Sequence, residues 1–371
     1  MKIVTVLGTR PEIIRLSRVI PLLDEHADHV LAHTGQNYDK RLSDIFFEEL
    51  GVRIPDRNFD VRAETAGEQI GRILIEGERL LLDERPDAVL ILGDTNSGLI
   101  AIVARRLGIP VFHMEAGNRC FDDRVPEEVN RRAIDHCSSV SMPYTQRSKE
   151  NLIREGISPH RIYVTGNPIL EVIRAHSEDI RASRILDELG LDPRRFFLVT
   201  LHRAENVDLK SRLHLLGAGL LRLHERWGFP VVCGLHPRTR SKLEAFNLWP
   251  SLEPALRFLP PFGFCDFLRL EQEAACVLTD SGTVQEECCI FGVPAVTLRD
   301  VTERPETIEA GGNVLSGAEP DRIEALTALV MERRGGWTAP PEYLVEEVAP
   351  TVARIILGYD HWSRLERYGA E

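Results

Sequence analysis

Short apolar runs alternate with helix-like segments along most of this chain, and this alternation limits the folds open to it. The runs Lys2-Ile-Val-Thr-Val-Leu7 and Ala88-Val-Leu-Ile-Leu92 are almost wholly apolar, as expected for strands buried on both faces of a parallel sheet. Segments of helical length separate the runs, so we predict an α/β fold with doubly wound sheets. The predicted strands are 2–7, 29–33, 88–92, 111–114, 139–142, 196–200, 230–233, 256–259, 276–279 and 294–297, and the longer predicted helices are 11–23, 65–84, 169–189 and 209–227.

The length of the chain predicts two domains. A chain of 371 residues is long for a single core, and a hydrophobic content of 43% is ample for two. A charged helical segment begins after Gly166, so we place a first Rossmann-like domain at 1–168 and a second one at 169–349. A helix at about 350–371 is expected to cross back to the first domain. The two sheets are expected to face each other across a cleft.

The composition excludes several classes of protein. Acidic residues outnumber basic ones by 57 to 45, and without a basic tract this balance argues against nucleic-acid binding. The seven cysteines include no C-x-x-C pair, which predicts neither a disulfide framework nor a zinc site and favours a reducing, cytoplasmic compartment. The chain lacks a signal-peptide pattern and an apolar stretch of membrane-spanning length, so we expect no membrane contact.

The segment 113–136 concentrates ionisable side chains directly after an apolar run. The carboxylates Glu115, Glu127 and Glu128 lie there close in sequence to several arginines and to His113 and His136. Such a mixture can hold one carboxyl group protonated and another ionised near neutral pH, which proton-transfer chemistry requires. The alternative is a solvated loop and helix joined by salt bridges. Because open α/β sheets place their sites at the ends of buried strands, the segment is a candidate catalytic region.

Two turns, one in each half of the chain, have the pattern of anion sites. Gly8-Thr-Arg-Pro-Glu12 joins a strand to a helix, and Arg10 with Arg15 could bind an anion at that helix N-terminus. In the second half, Thr279-Asp-Ser-Gly-Thr-Val-Gln-Glu-Glu287 repeats this logic. The turn Ser281, Gly282 and Thr283 would face a diphosphate. Glu287 would accept hydrogen bonds from two hydroxyl groups of a ribose. The alternatives are an ordinary tight turn and an ordinary helix cap.

Other features bear on cofactors and metals. The chain has neither G-x-x-x-x-G-K-[ST] nor G-x-G-x-x-G, so we predict no redox cofactor and no Walker-type site. His202 and His236 each follow a predicted strand, a position that suits a site but is also common for loop histidines. The pair Asp122-Asp123 lacks further ligands at metal-binding spacing, so we interpret it as a solvated turn and predict no metal.

Several ordered motifs match those of one known enzyme family. They are Gly8-Thr-Arg-Pro-Glu12, Gly93-Asp-Thr95, His113-Met-Glu-Ala-Gly117, Pro126-Glu-Glu-Val-Asn-Arg131, Asp280-Ser-Gly-Thr-Val-Gln-Glu-Glu287 and Thr302-Glu-Arg-Pro-Glu306. By these motifs the chain resembles the non-hydrolysing UDP-N-acetylglucosamine 2-epimerases along its whole length. The resemblance implies two Rossmann-like domains with a nucleotide between them, as in GT-B glycosyltransferases, and a homodimer. It also implies that the domain at 169–349 is the UDP-binding one.

The resemblance also implies roles for particular residues. Asp94, Glu115 and Glu127 would be the acid-base carboxylates, with His202 as a further active-site group. The implied contacts of the UDP-sugar are Arg10, Arg15, Arg131, His202, His236, Phe267, Ser281, Gly282, Thr283 and Glu287. The family inverts C2 by eliminating UDP to give a glycal and adding it back to the other face, which requires no metal and no redox cofactor.

Two departures from the common family pattern are visible. Arg15 stands where many members have lysine, and Gln36-Asn37 stands where many have Gln-His, which bears against the allosteric UDP-GlcNAc site of some bacterial members. Phrases such as Gly117-Asn-Arg-Cys-Phe-Asp122 resemble the branch that makes UDP-N-acetyl-L-fucosamine, which implies a 6-deoxy substrate. Two rival functions share the nucleotide site: a GT-B glycosyltransferase, which needs an acceptor, and a UDP-sugar sensor, which would lack the acid-base residues.

Overall fold

A computed structural model describes residues 1–35, 40–61, 63, 65–332 and 334–359, without the side chains of 40–44. The chain forms two compact units, one of Met1–Arg174 together with the chain from Glu342 onward, and one of Ala175–Pro341. The sequence placed these junctions at 168/169 and 349/350. The assignment of the second unit as the UDP-binding domain, and the arrangement of the sheets across a cleft, stay predictions.

The first unit is built on a parallel sheet of six described strands in the order β3-β2-β1-β4-β5-β6. The strands are β1 Lys2–Leu7, β2 Asp28–His33, β3 Arg57–Asn58, β4 Ala88–Leu92, β5 Val111–Met114 and β6 Val140–Met142. The central strand β4 is buried at all its positions. The chain order reverses between β1 and β4, and open α/β sheets place their sites beyond the carboxyl ends of the strands at such a reversal.

The second unit repeats this design with six described strands in the order β12-β11-β10-β7-β8-β9, again all parallel. The strands are β7 Phe197–Thr200, β8 Val231–Gly234, β9 Leu256–Leu259, β10 Cys276–Thr279, β11 Ala295–Thr297 and β12 Asn313–Leu315. Its reversal lies between β7 and β10. The predicted α/β class with doubly wound sheets is therefore confirmed.

Helices cover the faces of each sheet. In the first unit they are α1 Arg10–Leu16, α2 Val19–His26, α3 Lys40–Glu49, α4 Ala66–Glu84, α5 Ile100–Arg106, α6 Pro126–Cys137, α7 Gln146–Arg154 and α8 Ile169–Ala175, the last ending at the junction, with 3-10 turns at Asn96–Leu99 and Pro159–Arg161. In the second they are α9 Ser177–Ala182, α10 Ile185–Leu189, α11 Ala204–Val207, α12 Lys210–Trp227, α13 Pro237–Ala245, α14 Trp249–Leu252, α15 Phe264–Glu273, α16 Gly282–Phe291, α17 Pro305–Ala310 and α18 Pro320–Met331. A 3-10 turn at Pro341–Leu344 precedes α19 Val348–Leu357.

Two predicted helices are broken in the structure. The helix predicted at 11–23 divides into α1 and α2, because the hydroxyl group of Ser17 donates to the carbonyl oxygen of Ile14 at 2.7 Å and closes the last turn early. The helix predicted at 169–189 divides into α8, α9 and α10. There the Ser183 hydroxyl group donates to the Asp266 carboxylate on α15 at 2.6 Å. A tertiary contact therefore competes with the local helical pattern.

The last described helix, α19, belongs to the first unit and packs on α2. One apolar face of α19 is buried, and the carboxylate of Glu171 accepts a hydrogen bond from the backbone amide of Ala349 at 2.9 Å. Most of the helix predicted at 350–371 lies outside the described residues, as do Gln36 and Asn37. No helix in the described ranges is long and apolar enough to cross a membrane.

Candidate active site

The turns that follow β1 and β4 are joined by the side chain of Glu12. Its carboxylate accepts hydrogen bonds from the Gly8 amide at 2.9 Å and the Thr9 hydroxyl group at 2.7 Å, both in the first turn. It also accepts from the hydroxyl group of Thr95, in the second turn, at 3.0 Å. Glu12 is only 1% exposed, and burial raises its pKa to about 7 against the opposing effect of these donors.

Glu115 lies directly after β5 in a left-handed backbone conformation, with φ of 64°. Its carboxylate accepts from the Arg15 guanidinium at 3.1 Å and from the Asn118 amide group at 3.4 Å. Arg15 is 1% exposed and its guanidinium lies 5.4 Å from the centroid of the Tyr144 ring. Left-handed conformations of residues other than glycine are uncommon and are found often at functional sites. The arginine and the backbone together fix the position of this carboxylate.

A buried ion pair lies beneath these turns. His113 Nδ1 is 2.8 Å from Asp135 Oδ1, and His113 Nε2 is 2.8 Å from the carbonyl oxygen of Gly93. Asp135 also contacts Arg119 at 2.8 Å and accepts from the Gly117 amide at 3.2 Å. Burial alone would raise the pKa of the Asp135 carboxyl, but His113 and Arg119 hold it below its ordinary value. Each nitrogen of the His113 ring thus lies within hydrogen-bond distance of a buried oxygen atom.

Gly117 is required for this arrangement by its surroundings. Its φ is 80°, and a Cβ atom at this position would lie 2.2 Å from the backbone oxygen of Ser148. Only glycine fits such a close approach of two backbone segments. The loop that carries Glu115 is thus packed directly against α7.

Asp94, at the end of β4, is held by α6. Its carboxylate accepts from Arg131, whose Nε lies 3.1 Å away, and its carbonyl oxygen accepts from the Asn130 amide group at 3.0 Å. Arg131 is 2% exposed and also contacts Glu128, which accepts from the Cys120 amide at 3.0 Å. Burial would raise the pKa of Glu128, but the Cys120 amide and Arg131 hold it below its ordinary value.

Two other candidate residues of the first unit have different surroundings. Glu127 is half-buried in the first turn of α6, where the partial positive charge of a helix N-terminus favours a carboxylate. Arg10 lies at the start of α1, and its guanidinium is 5.6 Å from the centroid of the Phe46 ring. In the solvated turn proposed for Asp122 and Asp123, the Asp122 carboxylate accepts from Arg124 at 2.9 Å.

In the second unit, Asp280 joins the turns that follow β7 and β10. Its carboxylate accepts from the backbone amides of His202 at 3.0 Å and Arg203 at 3.0 Å, and from the Asn206 amide group at 3.1 Å. His202 Nδ1 lies 3.1 Å from the same carboxylate. Asp280 is fully buried, which alone would raise its pKa, but His202 and these amides hold the pKa below its ordinary value.

The turn from Ser281 to Thr283 begins helix α16. The hydroxyl groups of Ser281 and Thr283 are 2.9 Å apart, and a Cβ atom on Gly282 would lie 2.7 Å from a carboxylate oxygen of Glu303. Gln285 donates to the carbonyl oxygen of Ser281 at 3.1 Å. The turn is therefore tightly packed by the loop after β11, which contains Glu303.

Helix α16 buries an unusual number of polar side chains for a helix packed on a sheet. Gln285, Glu286 and Glu287 are at most 4% exposed, and Arg304 forms an ion pair with Glu286. The Thr302 hydroxyl group donates to Gln285 at 2.7 Å. The loop after β11 is thereby tied to the helix that carries the candidate diphosphate and ribose contacts.

The remaining candidates lie around these turns. His236 caps α13, where its Nδ1 accepts from the Arg238 amide at 3.2 Å, and its ring centroid is 6.1 Å from that of His202. The structure thus brings together two histidines that the sequence separates by a whole helix. Phe267 is half-buried and packs against the core cluster that includes Leu198 and Val277.

Several groups that position the site were not identified from the sequence as site residues. They are Glu12, Arg119, Asp135, Asp280, Glu286 and Arg304. Glu12, Asp280, Glu286 and Arg304 lie inside the quoted motifs, so their closeness in sequence to the candidate residues could have identified them. The partners of Arg119 and Asp135 are brought to them by the fold.

Comparisons with known proteins agree on one family. Residues 22–357 match the family model described as UDP-N-acetylglucosamine 2-epimerase. The UDP-N-acetylglucosamine 2-epimerase of Methanocaldococcus jannaschii is 42% identical over 92% of this chain and 95% of its own length. The UDP-2,3-diacetamido-2,3-dideoxy-D-glucuronate 2-epimerase of Pseudomonas aeruginosa is 39% identical over 87% of this chain and 90% of its own length.

Solved structures give the same result. The chain matches the crystal structure of the M. jannaschii UDP-GlcNAc 2-epimerase in complex with UDP-GlcNAc and UDP with a TM-score of 0.92 and 40% identity, over 96% of this chain and 99% of that one. MurG of Acinetobacter baumannii, at 15% identity over 96% of this chain and 99% of its own and a TM-score of 0.54, shares the fold alone. The chain belongs to the UDP-N-acetylglucosamine 2-epimerase family.

Proposed function

We propose that this protein is an isomerase that inverts C2 of a UDP-N-acetylhexosamine by eliminating and re-adding UDP. The observation that carries the proposal is the pair of carboxylates after neighbouring strands, Asp94 after β4 and Glu115 after β5. Each is held by a buried arginine, Arg131 for Asp94 and Arg15 for Glu115. Family membership supplies the reaction class, and these carboxylates supply groups able to accept and return a proton.

The reaction breaks and forms two bonds. A base removes the C2 proton, the electron pair of that bond forms a C1–C2 double bond, and the C1–O bond breaks so that UDP leaves with its electron pair. Addition in the opposite direction returns UDP to C1 and delivers a proton to the other face of C2. Such a route needs both a base and an acid near C2, and we assign these roles among Asp94, Glu115 and Glu127.

UDP itself requires contacts to the diphosphate and the nucleoside. We assign the diphosphate to Ser281, Gly282 and Thr283, at the N-terminus of the ten-residue helix α16, because amides and a helix dipole favour an anion there. Glu287 would accept hydrogen bonds from the ribose hydroxyl groups. Arg10, His202, His236 and Phe267 complete the assigned contacts, with His202 beside the departing diphosphate and Phe267 near the uracil. No redox cofactor or metal is part of this mechanism.

The substrate is assigned by class. The relatives named above act on UDP-GlcNAc and on a diacetamido-glucuronate, which differ at C3 and C6 but share a 2-acetamido group, so we propose a UDP-2-acetamido sugar. The 6-deoxy L-talo and L-fuco pair belongs to this class. We also propose a homodimer, as the family resemblance implies. The seven free cysteines, all within the described residues, fit a reducing compartment such as the cytoplasm.

Isotope exchange tests the reaction. The protein is incubated in heavy water with UDP-N-acetylglucosamine or with UDP-2-acetamido-2,6-dideoxy-L-talose, without an acceptor, and the recovered sugars are examined by NMR. Inversion at C2 with deuterium at C2 is the expected result, and the 6-deoxy sugar reacts faster if the resemblance to the L-fucosamine branch is functional. Inversion without deuterium would contradict the elimination mechanism. Unchanged sugars in both samples would instead favour a glycosyltransferase or a UDP-sugar sensor.

A further inference from the structure

Two carboxyl groups lie against each other in the second unit, where α15 packs on α16. They belong to Glu271, which is 0% exposed, and Glu287, which is 4% exposed. Both side chains are far from bulk water. Two ionised carboxylates held in such a place would repel each other strongly.

The carboxyl oxygens of Glu271 need a donor or a proton. Both are buried, and neither receives a hydrogen bond from a donor among the residues that the structure describes. An ionised carboxylate can only accept, so Glu287 cannot satisfy Glu271 while both are ionised. If Glu271 is protonated, its O–H group becomes a donor and Glu287 becomes its acceptor. One proton therefore gives the protonated oxygen of Glu271 an acceptor and removes the repulsion between the two groups.

The surrounding charges support protonation of Glu271. Burial, followed by the charge of Glu287, raises the pKa of Glu271 well above its ordinary value. The thiol group of Cys288, on the same helix as Glu287, has its own pKa raised by burial and by these two carboxyl groups. The Cys288 thiol is therefore neutral and offers no positive charge to stabilise an ionised Glu271, whereas the charge of Glu287 opposes that ionisation.

We propose that Glu271 is a positioning residue: its protonated carboxyl group donates a hydrogen bond to Glu287 and thereby orients the Glu287 carboxylate to accept hydrogen bonds from the two ribose hydroxyl groups of the ligand. This inference rests on the proposed function, because it takes Glu287 as the ribose contact of a UDP-sugar. Glu271 itself does not touch the ligand. A buried acceptor with a fixed donor on one side presents its remaining lone pairs in one direction, which favours a bidentate contact.

The experiment compares two substitutions of similar size. Glu271→Gln keeps a donor that can reach Glu287, whereas Glu271→Met fills the space without one. The affinities of wild type and both variants are measured by calorimetry for UDP and for 2′,3′-dideoxy-UDP, which lacks both hydroxyl groups. We expect the Met variant to lose about 10-fold in UDP affinity, the scale of one hydrogen bond to a charged group, and the Gln variant to stay near wild type. Binding of dideoxy-UDP should be equal in all three proteins.

The outcomes separate this inference from the proposed function. Wild type that prefers UDP to dideoxy-UDP, with a Met variant that has the same preference, would overturn the role of Glu271 and leave the proposed function intact. Equal losses for both ligands would also overturn it, since they indicate a general structural effect. Wild type that does not bind UDP would contradict the proposed function as well. Infrared spectra of the free protein give a second test: the difference between the wild-type and Glu271→Gln spectra should contain the band of one buried protonated carboxyl group, because the contribution of Glu12 is the same in both proteins and cancels. A difference spectrum without that band would overturn the inference.

Discussion

The Asp135 carboxylate lies 2.8 Å from Nδ1 of the His113 ring, within a buried ion pair that Asp135 forms with Arg119 beneath the turns that carry Asp94 and Glu115. The ring reaches the Gly93 carbonyl oxygen on one side, and the carboxylate reaches the Gly117 amide on the other. Gly93 precedes Asp94, and Gly117 is two residues after Glu115. The ion pair therefore fixes the spacing of the two candidate catalytic turns.

Replacement of Asp135 by Asn tests this role. The substitution keeps the shape of the side chain but removes the charge that faces the His113 ring and the guanidinium of Arg119. Loss of one partner from a buried ion pair should lower the free energy of unfolding by about 3 kcal/mol or more. Urea denaturation at pH 7 measures this change in the free energy of unfolding. Turnover should also fall, because the Gly117 amide loses its carboxylate acceptor and the His113 ring, which contacts Gly93, loses the carboxylate that orients it.

Asp123→Asn is the matched control, since the Asp123 side chain is 74% exposed and pairs only with the half-exposed Arg132 among the described ion pairs. This substitution should lower the free energy of unfolding by less than about 1 kcal/mol. The pKa of Asp135 is lowered by folding, so its stabilising effect is complete above the ordinary value of 3.8 and is lost as the pH falls through the lower folded value. The difference between wild type and Asp135→Asn should shrink in acid. Equal costs for both substitutions would argue against a structural role of the ion pair.

Glu12 predicts a pH dependence of the opposite sign. Its pKa is about 7 in the folded protein against an ordinary value of 4.5. The folded state therefore binds the proton more tightly than the unfolded state, and stability falls as the pH rises through this window. For this fully buried group the loss is about 3 kcal/mol. Glu12→Gln cannot ionise, so its free energy of unfolding should depend less on pH between 5 and 7.5.

The control for Glu12 is Glu76→Gln, because Glu76 lies on the surface of α4 in an exposed pair with Arg79. That variant should keep the wild-type pH dependence. A Glu12→Gln protein with the same slope as wild type between pH 5 and 7.5 would show that Glu12 is ionised throughout.

The central part of the fold was predictable because its strands are apolar on both faces. The predicted strands coincide with the observed ones to within a residue or two, whereas the edge strands β3 and β12 were missed. β3 has only two residues, Arg57 and Asn58, both exposed, and β12 begins with the polar Asn313. The other two edge strands, β6 and β9, were predicted because they keep apolar side chains such as Met142 and Leu256. β3 and β12 were missed because they are short and start with polar residues, which leaves too little of the apolar pattern.

The candidate turns were predictable, but the groups that hold them were not. Gly8, Asp94 and Glu115 each follow a strand, and the end of an apolar run in the sequence marks where a buried strand ends. The hydrogen bond from Thr95 to Glu12 spans 83 positions, and the bond between His113 and Asp135 spans 22. Such pairs depend on which strands are neighbours. The order of strands in a sheet cannot be read from the local pattern of a single sequence.

The Glu115 carboxylate, which Arg15 holds in place, gives a prediction about turnover. Glu115→Gln removes the ionisable proton but keeps the length of the side chain, so the turnover number should fall by about 100-fold or more if Glu115 acts as an acid or base. UDP affinity should stay close to wild type, because the assigned UDP contacts are elsewhere. Steady-state kinetics and calorimetry check the two parts separately. Normal turnover of this variant would remove Glu115 from the mechanism.

Glu127 and Glu128 are neighbours in sequence with different expected roles, which makes each a control for the other. Glu128 is 0% exposed, and its carboxylate accepts hydrogen bonds from the Cys120 amide at 3.0 Å and the Phe121 amide at 3.1 Å. These contacts indicate that Glu128 stabilises the fold. Glu127 is half-buried at the start of α6. Glu128→Gln should therefore lower the free energy of unfolding by about 2 kcal/mol, the scale of a lost bond to a buried charged group.

Glu127→Gln should leave that free energy within about 0.5 kcal/mol of wild type, because substitutions away from buried contacts have small effects. Its turnover number should instead fall by about 100-fold or more, since a Gln side chain cannot exchange a proton with the sugar. In heavy water the residual product should still carry deuterium at C2 if another carboxylate returns the proton. The reverse pattern, with Glu127→Gln unstable but active and Glu128→Gln stable but inactive, would transfer the acid-base role to Glu128 and contradict the assignment made from the motif.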